Sequence, residues 1–344
     1  MQRLVTKRKG LTTVGNHPGA IWAPGGSLRQ IILNKLESFK MQSINTSNAE
    51  IAAECMTFGP KAEGVHVLVD ADILVYRAGF SASKAEVEMT PLAIVTSRLE
   101  TMVEGFWDKI HEELGLPKTG SNLTCFLTGC KKIPNFRDDV APYYKANRTE
   151  VKKPPYYQEL RDHIEYTYDT VVTEGVEADD YFGQARKDSL EMAPQLLPVI
   201  VSIDKDLLML EGLHYNFVKD QWKQTSLWDG HRFFFTQMMT GDNADNIPGL
   251  KRYGPKKAEK LLGDISDNDS MFMVTAKEYI KMHGMKRWQH EWNVHCDLLW
   301  ILRRLDEPCP WKVGNETFEL YKHNLPEEAW QQNEDQEEND QANP

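Results

Sequence analysis

Cysteine is scarce and unpatterned in this sequence of 344 residues. The five cysteines are an odd number and include no C-x-x-C pair, so neither a disulfide framework nor a zinc knuckle is predicted. No run of about 18 apolar residues occurs, and the basic N-terminus is followed by no apolar segment of signal-peptide type. We therefore expect a soluble, unexported, cytoplasmic protein without a membrane partner.

Positive charge is also in deficit, since 40 Lys and Arg face 51 Asp and Glu and the net charge is −11. Taken alone, this sum argues against a protein that grips phosphates, which usually carries a basic surplus. Seven of the acids, however, fall within residues 326–344, where no Lys or Arg occurs and Gln and Asn abound. This segment is predicted to be a disordered acidic tail, and the remainder carries only −4.

Short apolar runs alternate with helical patterns through the middle of the chain. Residues 66–70, 123–127 and 198–203 have the form of buried parallel strands, and helices are predicted at 91–114, 156–166 and 177–192. The alternation predicts an α/β fold with a mostly parallel central sheet flanked by helices. Ligands of such sheets bind at the carboxyl ends of the strands.

The domain boundaries follow from changes in composition. We predict an N-terminal extension over residues 1–63 with one amphipathic helix from Ser27 to Phe39, an α/β core over 64–232, a helical region over 233–325 and the tail over 326–344. The extension and the tail are either partner-binding additions, for example for replication proteins, or tolerated terminal extensions.

Acidic residues cluster at four predicted strand and helix ends. Crowded carboxylates repel one another unless a cation neutralises them, and oxygen ligands select Mg²⁺, with Mn²⁺ as a substitute. A pair of such ions can activate water and stabilise both oxygens of a phosphodiester under attack. Any single pair of acids has an alternative as a helix cap or a turn. The candidate ligands are Asp70, Glu177, Asp179, Asp180, Asp204, Asp206, Asp242 and Asp245.

Asp72 is a separate case, because capping the following helix is at least as good an explanation as metal ligation. The Asp70-Ala71-Asp72 spacing is also typical of a phosphatase-type aspartyl nucleophile. Leu74 stands where that motif has Thr, which disfavours the phosphatase alternative.

Two basic segments complement the acids. Residues 131–153 carry seven basic side chains interleaved with aromatics, a pattern that suits a single nucleic-acid strand, although a solvated loop with core aromatics has the same composition. Residues 247–258 place two glycines before lysines and a helix start, which predicts a clamp on a duplex backbone and does not fit a P-loop. The candidate contact residues are Lys131, Lys132, Arg137, Tyr144, Lys152 and Lys153 in the first segment, and Gly249, Lys251, Gly254, Lys256 and Lys257 in the second.

Four of these stretches together resemble the flap endonuclease / 5′–3′ exonuclease family, which includes the 5′ nuclease domain of bacterial DNA polymerase I and the bacteriophage replication exonucleases. The resemblance covers roughly residues 64–305. It is carried by Val176-Glu177-Ala178-Asp179-Asp180, Ser202-Ile203-Asp204-Lys205-Asp206, Tyr144-Lys145-Ala146-Asn147-Arg148, and Gly241-Asp242 through Gly254.

The resemblance implies a PIN-like nuclease fold with two Mg²⁺ centres and assigns roles to its residues. Lys145 and Arg148 match basic residues placed over the scissile phosphate. The basic arch at 130–157 matches the region that admits a 5′ strand, and 241–262 matches a helix–three-turn–helix that binds duplex DNA and a K⁺ ion. The first metal centre would use Asp70, Glu177, Asp179 and Asp180, and the second would use Asp204, Asp206, Asp242 and Asp245.

One position departs from the pattern of the family. Its members usually carry an Asp at the end of the strand before the arch, where this chain has Leu127-Thr128-Gly129-Cys130. Either Asp72 or a water takes over that role, or metal affinity at the first centre is reduced.

The leading hypothesis is a Mg²⁺-dependent nuclease of phage replication that hydrolyses DNA, and the RNA of RNA–DNA hybrids, at 5′ ends, flaps and nicks and leaves 5′-phosphates. The alternatives are a catalytically weakened or inactive branched-DNA-binding protein of the same family and a single-strand RNA-processing nuclease, which should lack the 241–262 clamp.

Overall fold

The computed structural model describes residues 62–82, 90–129, 133–148 and 152–314, together with Phe318 and Leu325. The predicted helix from Ser27 to Phe39, most of the 1–63 extension, Lys131, Lys132 and the acidic tail lie outside these described residues.

A six-stranded sheet forms the centre of the described chain. Its strands are β1 (Gly64–Asp70), β2 (Asn122–Leu127), β3 (Asp169–Val172), β4 (Leu196–Val201), β5 (Gly212–Asn216) and β6 (Gln221–Thr225). The order is β3-β2-β1-β4-β5-β6, with all neighbours parallel except the antiparallel pair β5–β6. The mostly parallel sheet predicted from the sequence is therefore confirmed. From β1 the chain adds β2 and β3 on one side of the sheet and then β4, β5 and β6 on the other. The switch point of the strand order therefore lies between β1 and β4, which is where open α/β sheets bind their ligands.

Helices flank the sheet and then form a region of their own. They are α1 (Ala71–Ser81), α2 (Leu92–Leu114), α3 (Phe136–Val140), α4 (Tyr157–Thr167), α5 (Ala178–Met192), α6 (Leu227–Thr240), α7 (Pro255–Leu262), α8 (Asn268–His283) and α9 (Trp288–Leu299). Two-residue strands β7 (Gly241–Asp242) and β8 (Ile247–Pro248) pair antiparallel between α6 and α7. The helices predicted at 91–114, 156–166 and 177–192 are confirmed as α2, α4 and α5, whereas β3 and the β5–β6 hairpin were not foreseen.

Side chains alternate between the two faces of β1 and so feed two hydrophobic cores. Val65, Val67 and Val69 belong to the core that also holds buried residues of α1, α2 and α4. Leu68 points to the other core, which continues through α5 into the helical region. The runs of apolar residues in β1 and β4 follow from this burial on both faces.

The helical region is packed through aromatic side chains. The Phe272 ring contacts the rings of both Trp292 and Trp311, and Trp292 is fully buried. The first helix of the region, α6, begins at a capping box in which Ser226 and Asp229 satisfy each other's backbone N–H groups. None of the described helices is both long enough and apolar enough to span a membrane.

Candidate metal centre and basic surface

The carboxyl ends of β1 and β4 bring the first acids together. Asp70 is the last residue of β1, and Val69 beside it is in register with Val201 at the end of β4. The Ser202 hydroxyl donates to Asp70 Oδ2 at 2.8 Å and accepts the backbone N–H of Asp204 at 2.9 Å. Ser202 therefore fixes Asp70 and Asp204 at the same edge of the sheet, which the sequence predicted for both acids.

These acids lie close enough to perturb each other's ionisation. Burial raises the pKa of Asp70 to about 7; the Ser202 hydrogen bond opposes this rise, and the charges of Asp72 and Asp204 add to it. Asp179, in the first turn of α5, has a pKa well above its usual range because of burial and the charges of Asp204 and Asp70. Asp70, Asp179 and Asp204 thus form one group of carboxylates that oppose one another's ionisation, and the charge of Lys145 offsets this only in part at Asp179.

A second group lies between the end of β4 and the start of the β7–β8 hairpin. The Gln237 amide donates to Asp206 Oδ1 at 2.8 Å and to Asp242 Oδ2 at 3.1 Å, and Lys205 Nζ lies 3.1 Å from Asp242. Burial and the charge of Asp204 raise the pKa of Asp206 to about 7. Burial opposes ionisation of Asp242, but the Ala244 N–H and Lys205 outweigh it and lower the pKa of Asp242.

Lys145 and Arg148 project into the acidic site. Lys145 Nζ lies 2.6 and 2.7 Å from the two carboxylate oxygens of Glu177, which directly precedes α5. Burial opposes ionisation of Glu177, but Lys145 and Arg137 hold the pKa of that carboxyl below its usual range. Arg148 pairs with Asp245, whose pKa burial nevertheless raises. The sequence placed these two cations beside the carboxylates, and the structure brings all four side chains together.

Asp180 is turned away from this group. Its carboxylate accepts both ends of the Arg137 guanidinium at 2.6 and 2.9 Å and the Leu302 N–H at 2.9 Å, and the residue is 0% exposed. Arg137 is 3% exposed and also donates to the carbonyls of Leu298 and Trp300. The structure therefore pairs Asp180 with a buried cation, and it corrects the expectation that Arg137 lies on the DNA-facing surface.

Tyr144 is likewise not available for stacking on a base. The residue is 6% exposed, and its hydroxyl donates to the Glu177 carboxylate at 3.1 Å. The prediction of a DNA-stacking role for Tyr144 is corrected because its ring belongs to the hydrophobic core. Lys152 and Lys153 are exposed, and the Lys153 ammonium lies 4.2 Å from the centre of the Tyr157 ring.

Asp72 binds groups at the neighbouring strand end that lacks an acid. It accepts the Thr128 N–H at 2.8 Å and lies 2.8 Å from Arg161 Nη1, while Arg161 Nη2 donates to the Thr128 carbonyl at 2.8 Å. These contacts fix the carboxyl end of β2 after Leu127. Both Asp72 and the β2 end are thus held by hydrogen bonds within the protein.

An open pocket with a volume of about 30 Å³ reaches Asp179 of the first acidic group and Asp206 and Asp242 of the second. Its wall combines carboxylates with Gln237, Tyr144 and the apolar side chains of α9 and the segment after it. The acids that line it are Glu177, Asp179, Asp206, Asp242 and Asp245. Among the residues that the structure describes, no three Asp, Glu, His or Cys side chains already have the spacing of a cation site. The expected assembly of two metal centres therefore stays a prediction.

The oxygen donors nevertheless fit divalent cations by their chemistry. Asp70, Asp179 and Asp206 are at least partly buried carboxylates whose pKa values are raised first by burial and then by the charges of neighbouring acids. Carboxylate and amide oxygens are the donors that Mg²⁺ and Mn²⁺ take.

The segment from α6 to α7 presents the second basic surface. Gly254 precedes α7 and is exposed, and a side chain there would meet nothing within 4 Å, so the start of α7 is accessible. Lys251, Lys256 and Lys257 are exposed, and the Lys257 ammonium lies 3.2 Å from the centre of the Tyr253 ring. Gly249 was predicted to let the duplex backbone approach. In the structure, its lack of a side chain instead allows close packing within the protein, because a Cβ there would lie 2.2 Å from the Thr240 backbone.

Several residues of the site were not singled out from the sequence. Ser202, Lys205 and Asn147 stand inside the quoted motifs, so their positions were a usable signal, but their hydrogen bonds depend on other elements. Gln237 lies on α6 with no local pattern that marks it, since its two acceptors come from separate parts of the chain.

An acidic strand edge at the switch point of a mostly parallel sheet places the site where open α/β proteins bind their ligands. Residues 65–235 match the family model described as 5′-3′ exonuclease, N-terminal resolvase-like domain. Over these residues the chain belongs to the 5′–3′ exonuclease family.

Comparison with curated proteins agrees with this assignment. The chain is 34% identical over 231 residues to DNA polymerase I of Rhizobium leguminosarum, covering 61% of this chain and 22% of the polymerase. It is 26% identical over 227 residues to a 5′-3′ exonuclease of Mycoplasma pneumoniae, covering 60% of this chain and 74% of that protein. The chain thus spans about a fifth of the length of the polymerase it matches.

A solved structure shares the fold. The T5 D15 protein co-crystallized with metal ions superposes with a TM-score of 0.51 at 17% sequence identity, covering 76% of this chain and 98% of that chain. This likeness confirms the mostly parallel sheet flanked by helices, with a PIN-like, resolvase-like arrangement.

Proposed function

We propose that this chain is a divalent-metal-dependent nuclease that acts on DNA at 5′ ends, 5′ flaps and nicks. The observation that carries the proposal is the group of buried carboxylates at the ends of β1 and β4, with Lys145 and Arg148 projecting into the same site. Such a group is unfavourable without a cation and is suited to hold one. Membership of the 5′–3′ exonuclease family supports the proposal independently.

The donors proposed for the cations are the acids that face the pocket or the strand edge. Asp70, Glu177 and Asp179 would serve one ion, and Asp204, Asp206, Asp242 and Asp245 would serve the other; Asp180 supports the first group from behind through Arg137. A pair of Mg²⁺ ions would supply a deprotonated water and stabilise the charge that develops on the phosphodiester. Mn²⁺ as a substitute and K⁺ at residues 241–262 stay predictions.

The cations of the chain have two separate tasks in this proposal. Lys145 and Arg148 now neutralise Glu177 and Asp245, and with a substrate bound they would turn to the non-bridging oxygens of the phosphate. Lys251, Lys256 and Lys257, at the exposed start of α7 and just before it, would bind the sugar–phosphate backbone of the duplex without base-specific contacts.

The substrate range follows from the same two surfaces. A protein surface that contacts only the sugar–phosphate backbone can bind the RNA strand of an RNA–DNA hybrid as well as DNA. Cleavage would leave a 5′-phosphate. A role in phage DNA replication, and replication proteins as partners of residues 1–63 or of the tail, are part of this proposal.

The test is cleavage of a 5′-labelled flap and of a nicked duplex with Mg²⁺ and with EDTA. We expect cleavage with Mg²⁺ only, its loss in Asp204→Asn, and unchanged cleavage in Asp108→Asn, a matched substitution on α2 away from the strand edge. The sizes of the labelled products separate exonuclease from flap endonuclease activity.

A second candidate function rests on the end of β2. No acid follows this strand, and Asp72 is bound by Arg161 and Thr128. A protein that binds branched DNA without cleaving it would retain tight junction binding and show no cleavage with Mg²⁺ or Mn²⁺ in the same assay. That outcome would overturn the nuclease proposal in favour of the binding function.

A further inference from the structure

The segment that carries Lys145 and Arg148 is hydrogen-bonded to the loop between β7 and β8. The Asn147 amide donates to the carbonyls of Asn243 and Ala244 at 3.1 and 3.5 Å, and Arg148 Nε donates to the Ala244 carbonyl at 3.2 Å. We call this set of contacts between residues 143–148 and 243–246 the clasp. Its partners are about 100 positions apart in the chain, so only the fold brings them together.

Two further hydrogen bonds belong to the clasp and involve unusual backbone. The Lys145 N–H donates to the Asp245 carbonyl at 2.8 Å, and the Asn246 amide donates to the Tyr143 carbonyl at 2.7 Å. Lys145 and Asn246 have φ values of 51° and 57°, in the left-handed region that non-glycine residues rarely adopt. Such conformations persist only where the surroundings hold them, and here each stands on one side of the clasp.

Backbone hydrogen bonds connect the loop of the clasp to the basic surface at α7. It is the tip of the β7–β8 hairpin, and the Leu250 N–H just beyond β8 donates to the Met239 carbonyl of α6 at 2.8 Å. The Tyr253 N–H, two residues before the start of α7, then donates to the Leu250 carbonyl at 3.0 Å. The clasp therefore lies between the cations of the acidic site and the lysines of the proposed duplex surface.

We infer that Asn147 is a positioning residue that sets Lys145 and Arg148 in register with the substrate and couples duplex binding at α7 to their placement. The backbone positions of Lys145 and Arg148 set the region that their side chains can reach. A shift of this backbone therefore changes which phosphate oxygens the two cations can contact. A displacement of about 1 Å at a reacting centre can cost about 100-fold in rate. This inference rests on the proposed function, because it assigns the two cations to the substrate phosphate.

The first measurement separates turnover from binding. Single-turnover cleavage of the 5′ flap at saturating protein and the Kd for the same DNA are compared for wild type, Asn147→Ala and Asn147→Asp, which is nearly isosteric but lacks the amide donor. Asn122→Ala, at the exposed amino end of β2, is the matched control. We expect both Asn147 variants to lose about 10- to 100-fold in rate with Kd within about threefold of wild type, and Asn122→Ala to change neither.

The second measurement follows the clasp itself by hydrogen–deuterium exchange of residues 143–148. Duplex DNA should slow this exchange in wild type, and Asn147→Ala should exchange faster and lose the response although the duplex is still bound. A Lys257→Ala variant should bind duplex DNA more weakly, so a higher DNA concentration should be needed to slow the exchange of residues 143–148.

Three results would overturn the inference: rates of the Asn147 variants within threefold of wild type, a loss of rate matched by an equal loss of affinity, or the same exchange response in Asn147→Ala as in wild type. A wild-type protein that cleaves no substrate refutes the proposed function instead, and the exchange response then decides on the clasp alone.

Discussion

The buried ion pair between Arg137 and Asp180 makes a sharp prediction, because Asp180 directly follows the proposed ligand Asp179. Asp180 is 0% exposed and accepts two guanidinium hydrogen bonds and the Leu302 N–H. Asp180→Asn would leave the Arg137 charge buried and without a counter-ion. Removing one partner of such a pair costs about 3–5 kcal/mol, and we expect this loss in the free energy of unfolding without any metal present.

The neighbouring substitution Asp179→Asn should behave in the opposite way. Burial and the charges of Asp204 and Asp70 raise the pKa of Asp179, so neutralising it removes repulsion and should leave the metal-free protein as stable as wild type or more stable. The stabilisation that Mg²⁺ gives to wild type should be reduced in Asp179→Asn and retained in Asp180→Asn.

Urea unfolding in EDTA and in Mg²⁺ measures both quantities for the two variants. The double variant Arg137→Met/Asp180→Leu tests the origin of the loss, because replacing both charges by apolar groups should recover most of it. The reasoning is wrong if Asp180→Asn is as stable as wild type in EDTA and loses stability relative to wild type only when Mg²⁺ is added. That result would make Asp180 a metal ligand.

Three further predictions concern the acidic edge, the duplex surface and the core. The folded pKa of Asp70 is raised to about 7 from 3.8, so the stability that this group contributes is complete below pH 4 and is lost as the pH rises through 7. In EDTA, the free energy of unfolding of Asp70→Asn should therefore increase relative to that of wild type over this pH range, by at most about 4 kcal/mol. Parallel stability–pH curves of the two proteins would contradict this. Lys257→Ala should lower duplex affinity and reduce the salt dependence of binding by about one phosphate contact, as measured by titration at several salt concentrations. An unchanged salt dependence would show that Lys257 does not contact the DNA. Tyr144→Phe should leave the affinity for single-stranded DNA within about twofold and lower stability by about 1 kcal/mol, because its buried hydroxyl donates to Glu177; equal stability of the two proteins would contradict the hydrogen bond.

Local pattern was sufficient for β1, β2 and β4, for several helices and for the acids that follow β1 and β4. The runs ending at Asp70 and near Asp204 are apolar because both faces of their strands are buried, and parallel strands bring their carboxyl ends to one edge. The edge hairpin β5–β6 was missed because its exposed residues break the apolar pattern, as in Gln221–Thr225.

Residue type alone did not reveal which charges are free and which are paired. Arg137 and Asp180 are charged residues in motifs that suggest DNA and metal binding, yet the fold buries them against each other and against the end of α9. Tyr144 is an aromatic residue among basic ones, yet its ring completes the core. Burial and pairing depend on elements about 30 to 160 positions away, and no local spacing records them.

The sequence by itself determined the class of the sheet, the edge at which the acids gather and the two segments in which positive charge collects, because strand burial, strand direction and composition are local properties. Only the tertiary structure decided that Asp180 is buried against Arg137, that Ser202 and Gln237 link acids of the site, and that Asn147 donates to the β7–β8 loop. Each of these outcomes is a contact between distant elements, and the free energy of such a contact depends on the low dielectric and fixed geometry that exist only after the chain has packed.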